Sequence, residues 1–135
     1  MTVPLGGTME IQYDSIKLDF WAFLREAYKK NIKLDLGHFI ILIKLLEINR
    51  EYNNLIKKYG KKDARKILED KGVFSKNSEY VSGEYLKKYI SRNSRGAVYS
   101  RIKDLQSLGF EIKTKPGALG GYKLLKTPKW FKVLD

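Results

Sequence analysis

The stretch from Ser82 to Leu125 constrains this chain most, because several structural signals occur there in a fixed order. Ser82 is a good helix cap, and Glu84 suits the positive end of a helix dipole. Leu86, Tyr89 and Ile90 make one apolar face on a helix of about 83–90. Ser91-Arg92-Asn93-Ser94 is a tight polar turn. Ser94 caps a second helix, about 95–108, with Val98, Ile102, Leu105 and Leu108 as its apolar stripe and Gly109 as its end. Phe110-Glu111-Ile112-Lys113-Thr114 then alternates as a half-buried strand does. Lys115 to Gly121 is a turn with three glycines, and Tyr122 to Leu125 returns as a second strand. Tyr80-Val81 adds a very short strand in front. The expected class is mainly α with a small β-hairpin, an α+β fold.

Charge favours the same segment. Lys and Arg number 27 against 15 Asp and Glu, a net charge of +12. Residues 1–79 carry 15 basic and 11 acidic side chains, or +4, whereas residues 80–135 carry 12 and 4, or +8. A basic surface concentrates a polyanion and releases its counterions on contact. With no Cys there is no disulfide frame, thiolate metal site or Cys nucleophile. The N-terminus lacks a secretory pattern, and Phe39 to Ile48, the most apolar run, is interrupted by Lys44 and Glu47. A cytoplasmic protein with no membrane partner is expected.

The first half reads as packing. Pro4, Gly6, Gly7 and Thr8 suggest a flexible arm over 1–14, with Asp14 or Ser15 capping a helix of about 16–30. Ile16, Phe20, Phe23, Leu24 and Ala27 recur at helical spacing, and Trp21 and Tyr28 fall on another face. A helix apolar on two sides must bury both, so Phe20, Trp21, Phe23, Leu24 and Tyr28 are candidates for a dimer interface. Asp35 caps a helix over about 36–58 with almost no polar face in its first half, expected at the centre of the fold. A short helix follows at about 62–71, and Ser75 to Ser78 is a polar loop. The division expected is arm 1–14, helical part 15–79, a basic unit 80–127 and a tail 128–135.

Residues 81–125 resemble the winged helix-turn-helix of the biotin-operon-repressor type, the small module in front of many biotin protein ligases and other regulators. The residues that carry the resemblance are Ser82-Gly83-Glu84 with Leu86, Ser94-Arg95-Gly96-Ala97-Val98, Ile102, Leu105, Leu108-Gly109-Phe110-Glu111-Ile112 and Gly120-Gly121-Tyr122-Lys123-Leu124. The resemblance implies that the helix starting at Ser94-Arg95 lies in the DNA major groove and that the hairpin is a wing. It extends to the DNA-reading module and not to the ligase, since only about ten residues follow the wing. Richness in Lys, Ile and Tyr without Cys also resembles proteins of hot-acid archaea and their viruses and plasmids.

Helical geometry sets Arg95, Gly96, Tyr99, Ser100, Lys103 and Gln106 opposite the apolar stripe. With Ser94, these positions (Gln106 apart) are the candidate DNA-contacting residues of the helix. Lys113, Lys115 and Lys123 are the candidates on the wing. Arg101, at the stripe's margin, is placed either on a phosphate or on Asp104. The glycines at 117, 120 and 121 lack the Gly-Lys-Ser/Thr ending of a phosphate loop. His38 is the only His, without clustered partner ligands, and is read as a core or interface residue. No catalytic residue, metal, cofactor or small-molecule effector is expected. The leading expectation is a homodimeric, sequence-specific regulator of transcription that binds double-stranded DNA. The alternatives are an architectural, plasmid-partition or replication-origin protein, or a winged-helix adaptor.

Overall fold

A 24-residue helix runs through the centre because its first half is apolar on nearly every side. This is α2, Leu36–Tyr59, which buries Phe39, Ile41, Leu42, Ile43, Leu45 and Ile48. The Asp35 carboxylate caps it, accepting the His38 N–H at 3.3 Å. The computed structural model describes residues 10–13, 16–90, 95–117 and 119–134, with side chains over 20–90, 96–117 and 119–132. Around α2 lie β1 (Glu10–Tyr13), β2 (Ile16–Asp19), α1 (Phe20–Lys29), α3 (Lys61–Asp70), α4 (Gly83–Lys87), α5 (Arg95–Ser107), β3 (Glu111–Lys115), β4 (Gly121–Lys126) and β5 (Val133–Leu134). The fold is therefore mainly helical with a two-stranded antiparallel hairpin, as the residue pattern predicts.

The N-terminal region departs from expectation. The helix expected from residue 16 begins at Phe20, and the arm expected to reach residue 14 contains a strand. Glu10–Tyr13 and Ile16–Asp19 pair antiparallel, with Tyr13 opposite Ile16. Both four-residue runs alternate apolar and polar, a period of two that the helical spacing of Ile16, Phe20 and Phe23 obscured. Asp14 and Ser15, expected as helix caps, lie outside the described residues, as do residues 1–9. The expected tail is also structured. Val133 and Leu134 pair with Leu18 and Lys17, giving a sheet of order β1-β2-β5.

One core joins these parts. The Phe23 ring lies 4.8 Å from Phe39, 5.8 Å from Phe110, 5.7 Å from Trp130 and 6.2 Å from Phe131. It thus ties α1 to α2, to the residue before β3 and to the chain beyond β4. The core continues through Leu68, Leu86, Val98, Ile102, Leu105 and Leu108. Truncating one such side chain costs roughly 2–5 kcal/mol. No helix among the described residues is long and apolar enough to cross a membrane.

Candidate nucleic-acid interface

α4 and α5 are short helices separated by residues 88–94, of which 91–94 lie outside the described residues. The Ser82 hydroxyl accepts the Glu84 N–H at 3.1 Å and starts α4. α4 ends at Lys87, sooner than the expected residue 90, but Ile90 is still buried. Val98, Ile102 and Leu105 of α5 are fully buried, which turns the other side of the helix outward. Gly96, Tyr99, Ser100 and Lys103 are exposed on that side. The Lys103 ammonium lies 5.7 Å from the Tyr99 ring centroid, so the two share one outward stripe. Ser100 back-bonds to the Ala97 carbonyl at 3.2 Å. Arg95 begins α5, and its side chain, like Ser94 as a whole, lies outside the described residues. Gln106, expected on the outward face, instead donates to the Ile112 carbonyl at 2.7 Å and holds β3 against α5.

Arg101 is buried, and its hydrogen-bonding carboxylate is Asp35, with Asp104 close enough to act on its charge. Its Nε donates to Asp35 Oδ1 at 3.0 Å, its Nη2 to Asp35 Oδ2, and its Nη1 to the Ala97 carbonyl at 2.8 Å. Gly37 makes this possible, because a Cβ there would sit 2.4 Å from Arg101 Nε. The hydrogen bonds from Arg101 hold the Asp35 carboxyl well below the usual carboxylate range. His38, also buried, accepts the Asp35 N–H on Nδ1 at 3.0 Å. Nε2 lies 2.7 Å from Asp104 Oδ2, and Nδ1 is also 3.1 Å from Asp35 Oδ1, so the ring sits between two carboxylates. The start of α2 is thus clamped to the middle of α5 by four side chains, and helical spacing alone gives no sign of such a link. Arg101→Ala is expected to destabilise the fold by roughly 2 kcal/mol, since the half-exposed Asp35 recovers some hydration. Urea titration would measure it, and a shift within error would show the clamp to be dispensable.

β3 and β4 form the hairpin, with Lys113 opposite Lys123 and Lys115 opposite Gly121. Lys113, Lys115 and Lys123 therefore share one face, while Ile112 and Leu124 fill the core from the other. Val81 exchanges two backbone hydrogen bonds with Tyr122, at 2.8 and 2.9 Å, and so supports the hairpin as the short strand predicted. The loop 75–78, predicted only as polar, grips the hairpin's turn. The buried Ser75 hydroxyl donates to the Gly120 carbonyl, and Ser78 donates to the Ser75 carbonyl at 3.1 Å. A cleft of about 400 Å³ opens between the hairpin's turn and the helix pair, lined by Ser82, Glu84, Gly96, Tyr99, Lys115 and Tyr122 among others.

Lys113 and Lys115 are exposed, but Lys123 is half-buried and its ammonium lies 2.9 Å from Glu79. Glu79 also accepts the Tyr52 hydroxyl at 2.8 Å and lies 3.4 Å from the Lys61 ammonium. The hydrogen bond from Lys123, with those from Tyr52 and Lys61, outweighs burial and lowers the Glu79 carboxyl from 4.5 to about 2. A depressed carboxyl contributes stability above its unfolded value and loses it as pH falls towards its folded value. Glu79→Gln should therefore lower the urea midpoint at neutral pH, and the difference should close between pH 4.5 and about 2. A difference independent of pH would mean that the charge of Glu79 contributes nothing.

Of the candidate dimer residues, Phe23 is buried in the core, while Phe20 and Leu24 are partly buried. Trp21 and Tyr28, two turns apart on one side of α1, are 52% and 88% exposed. Among the described residues no group of His, Asp and Glu could hold a metal ion. A family model described as an HTH domain matches residues 66–123. An uncharacterized protein of the archaeon Methanocaldococcus jannaschii is 56% identical over 114 residues, covering 84% of this chain and 87% of that protein. No solved structure gives a significant match.

Proposed function

This chain belongs to the helix-turn-helix family, in its winged form, and from that premise we propose that it is a homodimeric regulator of transcription that reads double-stranded DNA. The observation that carries the reading is the two-sidedness of α5. One side is locked into the core by Val98, Ile102, Leu105 and the Arg101–Asp35 pair, and the other presents Gly96, Tyr99, Ser100 and Lys103, with Gly96 and Tyr99 lining one cleft together with Lys115 of the wing. A rigid helix with a polar, cationic outer face fits the major groove, and lysines on an adjoining hairpin suit the phosphate backbone. Ser94 and Arg95 complete the contact surface in this reading, with Lys123 at the base of the wing. Trp21 and Tyr28, with Leu24 between them, supply the surface for a second copy, since large exposed aromatics on one helix stripe gain by burial against a partner. The protein works in the cytoplasm without a cofactor and is not an enzyme.

Selection from a pool of random duplexes tests the whole reading at once. The expected result is a pseudo-palindromic site with half-sites about 10 base pairs apart, or a multiple of that spacing. No enrichment would sink sequence-specific reading. A single-chain mass by light scattering at micromolar concentration would sink the homodimer.

A further inference from the structure

The ten residues from Lys57 to Lys66 hold Lys57, Lys58, Lys61, Lys62, Arg65 and Lys66 against one acid, Asp63. They form the corner where α2 ends at Tyr59 and α3 begins at Lys61, with Gly60 turning the chain at φ 88°. All five lysines are exposed and Arg65 is half-buried. Helix electrostatics accounts for only part of this charge. Lys57 and Lys58 lie in the last turn of α2, where a cation suits the dipole. Lys61 and Lys62 lie in the first turn of α3, where the dipole opposes them, and Gly60 supplies no side-chain cap. Cations held against a dipole and away from the core point to a use outside the fold.

The corner is joined to the wing. Glu79 bridges the Lys61 ammonium at 3.4 Å and the Lys123 ammonium at 2.9 Å. Lys123 lies opposite Lys113 on the hairpin, and Lys115 is on the same face. A Lys61–Glu79–Lys123 link therefore connects the corner to the wing.

We propose that the α2–α3 corner is a second phosphate-contacting surface, laid on the backbone of the same duplex beyond the stretch read by α5 and the wing. The proposal rests on the DNA-binding reading and extends it, because it makes the contacted length greater than one helix and one wing require. A duplex suits this surface because its phosphates form a regular, extended row of charge, matching cations spread across two helix ends.

The test compares wild type with K57Q/K58Q/K62Q/K66Q, which spares Lys61, Arg65 and the Glu79 tie. The probe is the duplex selected by the wild-type protein, at about 40 base pairs and trimmed to the selected site. Each lost contact flattens the dependence of log K on log salt by about 0.9. On the longer duplex the variant should bind roughly tenfold or more weakly, with a salt slope shallower by about 2–4. On the trimmed duplex it should match wild type. Circular dichroism would show both proteins equally folded. If the variant equals wild type in affinity and slope on both duplexes while Lys103→Glu weakens both, the corner is a solvated face and α5 alone reads DNA. If Lys103→Glu also binds as wild type does, the assignment of α5 fails with it.

Discussion

Replacing Arg95 and Lys103 together by Glu should weaken duplex binding at least ~100-fold at moderate salt, the largest functional loss expected from any surface change in this protein. Two attractive contacts disappear, and two like charges then face the phosphates. Folding should survive. Lys103 is exposed, with its ammonium 5.7 Å from the Tyr99 ring centroid, and a carboxylate at the start of α5 suits the helix dipole. Fluorescence anisotropy across a salt series would read affinity and slope together, with thermal unfolding as the check on the fold. An unchanged affinity and slope would remove α5 from the interface.

The second large effect is expected at Gly121. A Cβ there would lie 2.2 Å from the Val81 carbonyl oxygen, which already accepts the Tyr122 N–H at 2.9 Å. Because the nearest atoms, the Val81 carbonyl oxygen and carbon, are backbone, they cannot move without breaking the Val81–Tyr122 pairing. Gly121→Ala should destabilise the protein by roughly 2–4 kcal/mol through overpacking and loss of these hydrogen bonds. Gly83→Ala is the matched control. Its Cβ would meet only a Tyr122 ring carbon at 3.7 Å, at the first residue of α4, so it should be neutral or slightly stabilising. Equal midpoints for the two variants in urea would mean that the hairpin absorbs the extra methyl.

The second half of the fold was legible because its signals are local. Caps, an apolar stripe at helical spacing and alternation followed by glycines each act within a few residues. Ser82 caps α4 and Val98, Ile102 and Leu105 are buried as their spacing requires. The misread features depend on contacts between distant segments. Arg101 sits at the edge of its helix stripe, and only the space over Gly37 and the carboxylate of Asp35, 66 residues away, draw it inward. Gln106 and Lys123 look free in the chain for the same reason. Each finds an acceptor, Ile112 or Glu79, that no periodicity reveals. The strands at Glu10–Tyr13 and Ile16–Asp19 left a readable alternation, but the large aromatic residues that follow made the helical period look longer than it is. The basic corner was hidden by averaging. A charge of +4 over residues 1–79 looks unremarkable, although ten of those residues carry +5.

The pairing of Leu18 with Val133 has a kinetic meaning. It joins residues from nearly opposite ends of the chain, so the loop it closes is among the most costly in entropy that this fold must form. Among the described residues two pairs hold β5 to β2, whereas the α4–α5 unit is assembled from neighbours in sequence. The β2–β5 seam should therefore form late in folding and open early in unfolding. Its backbone amides should exchange with solvent well before those of α5, leaving that helix intact while the seam is open.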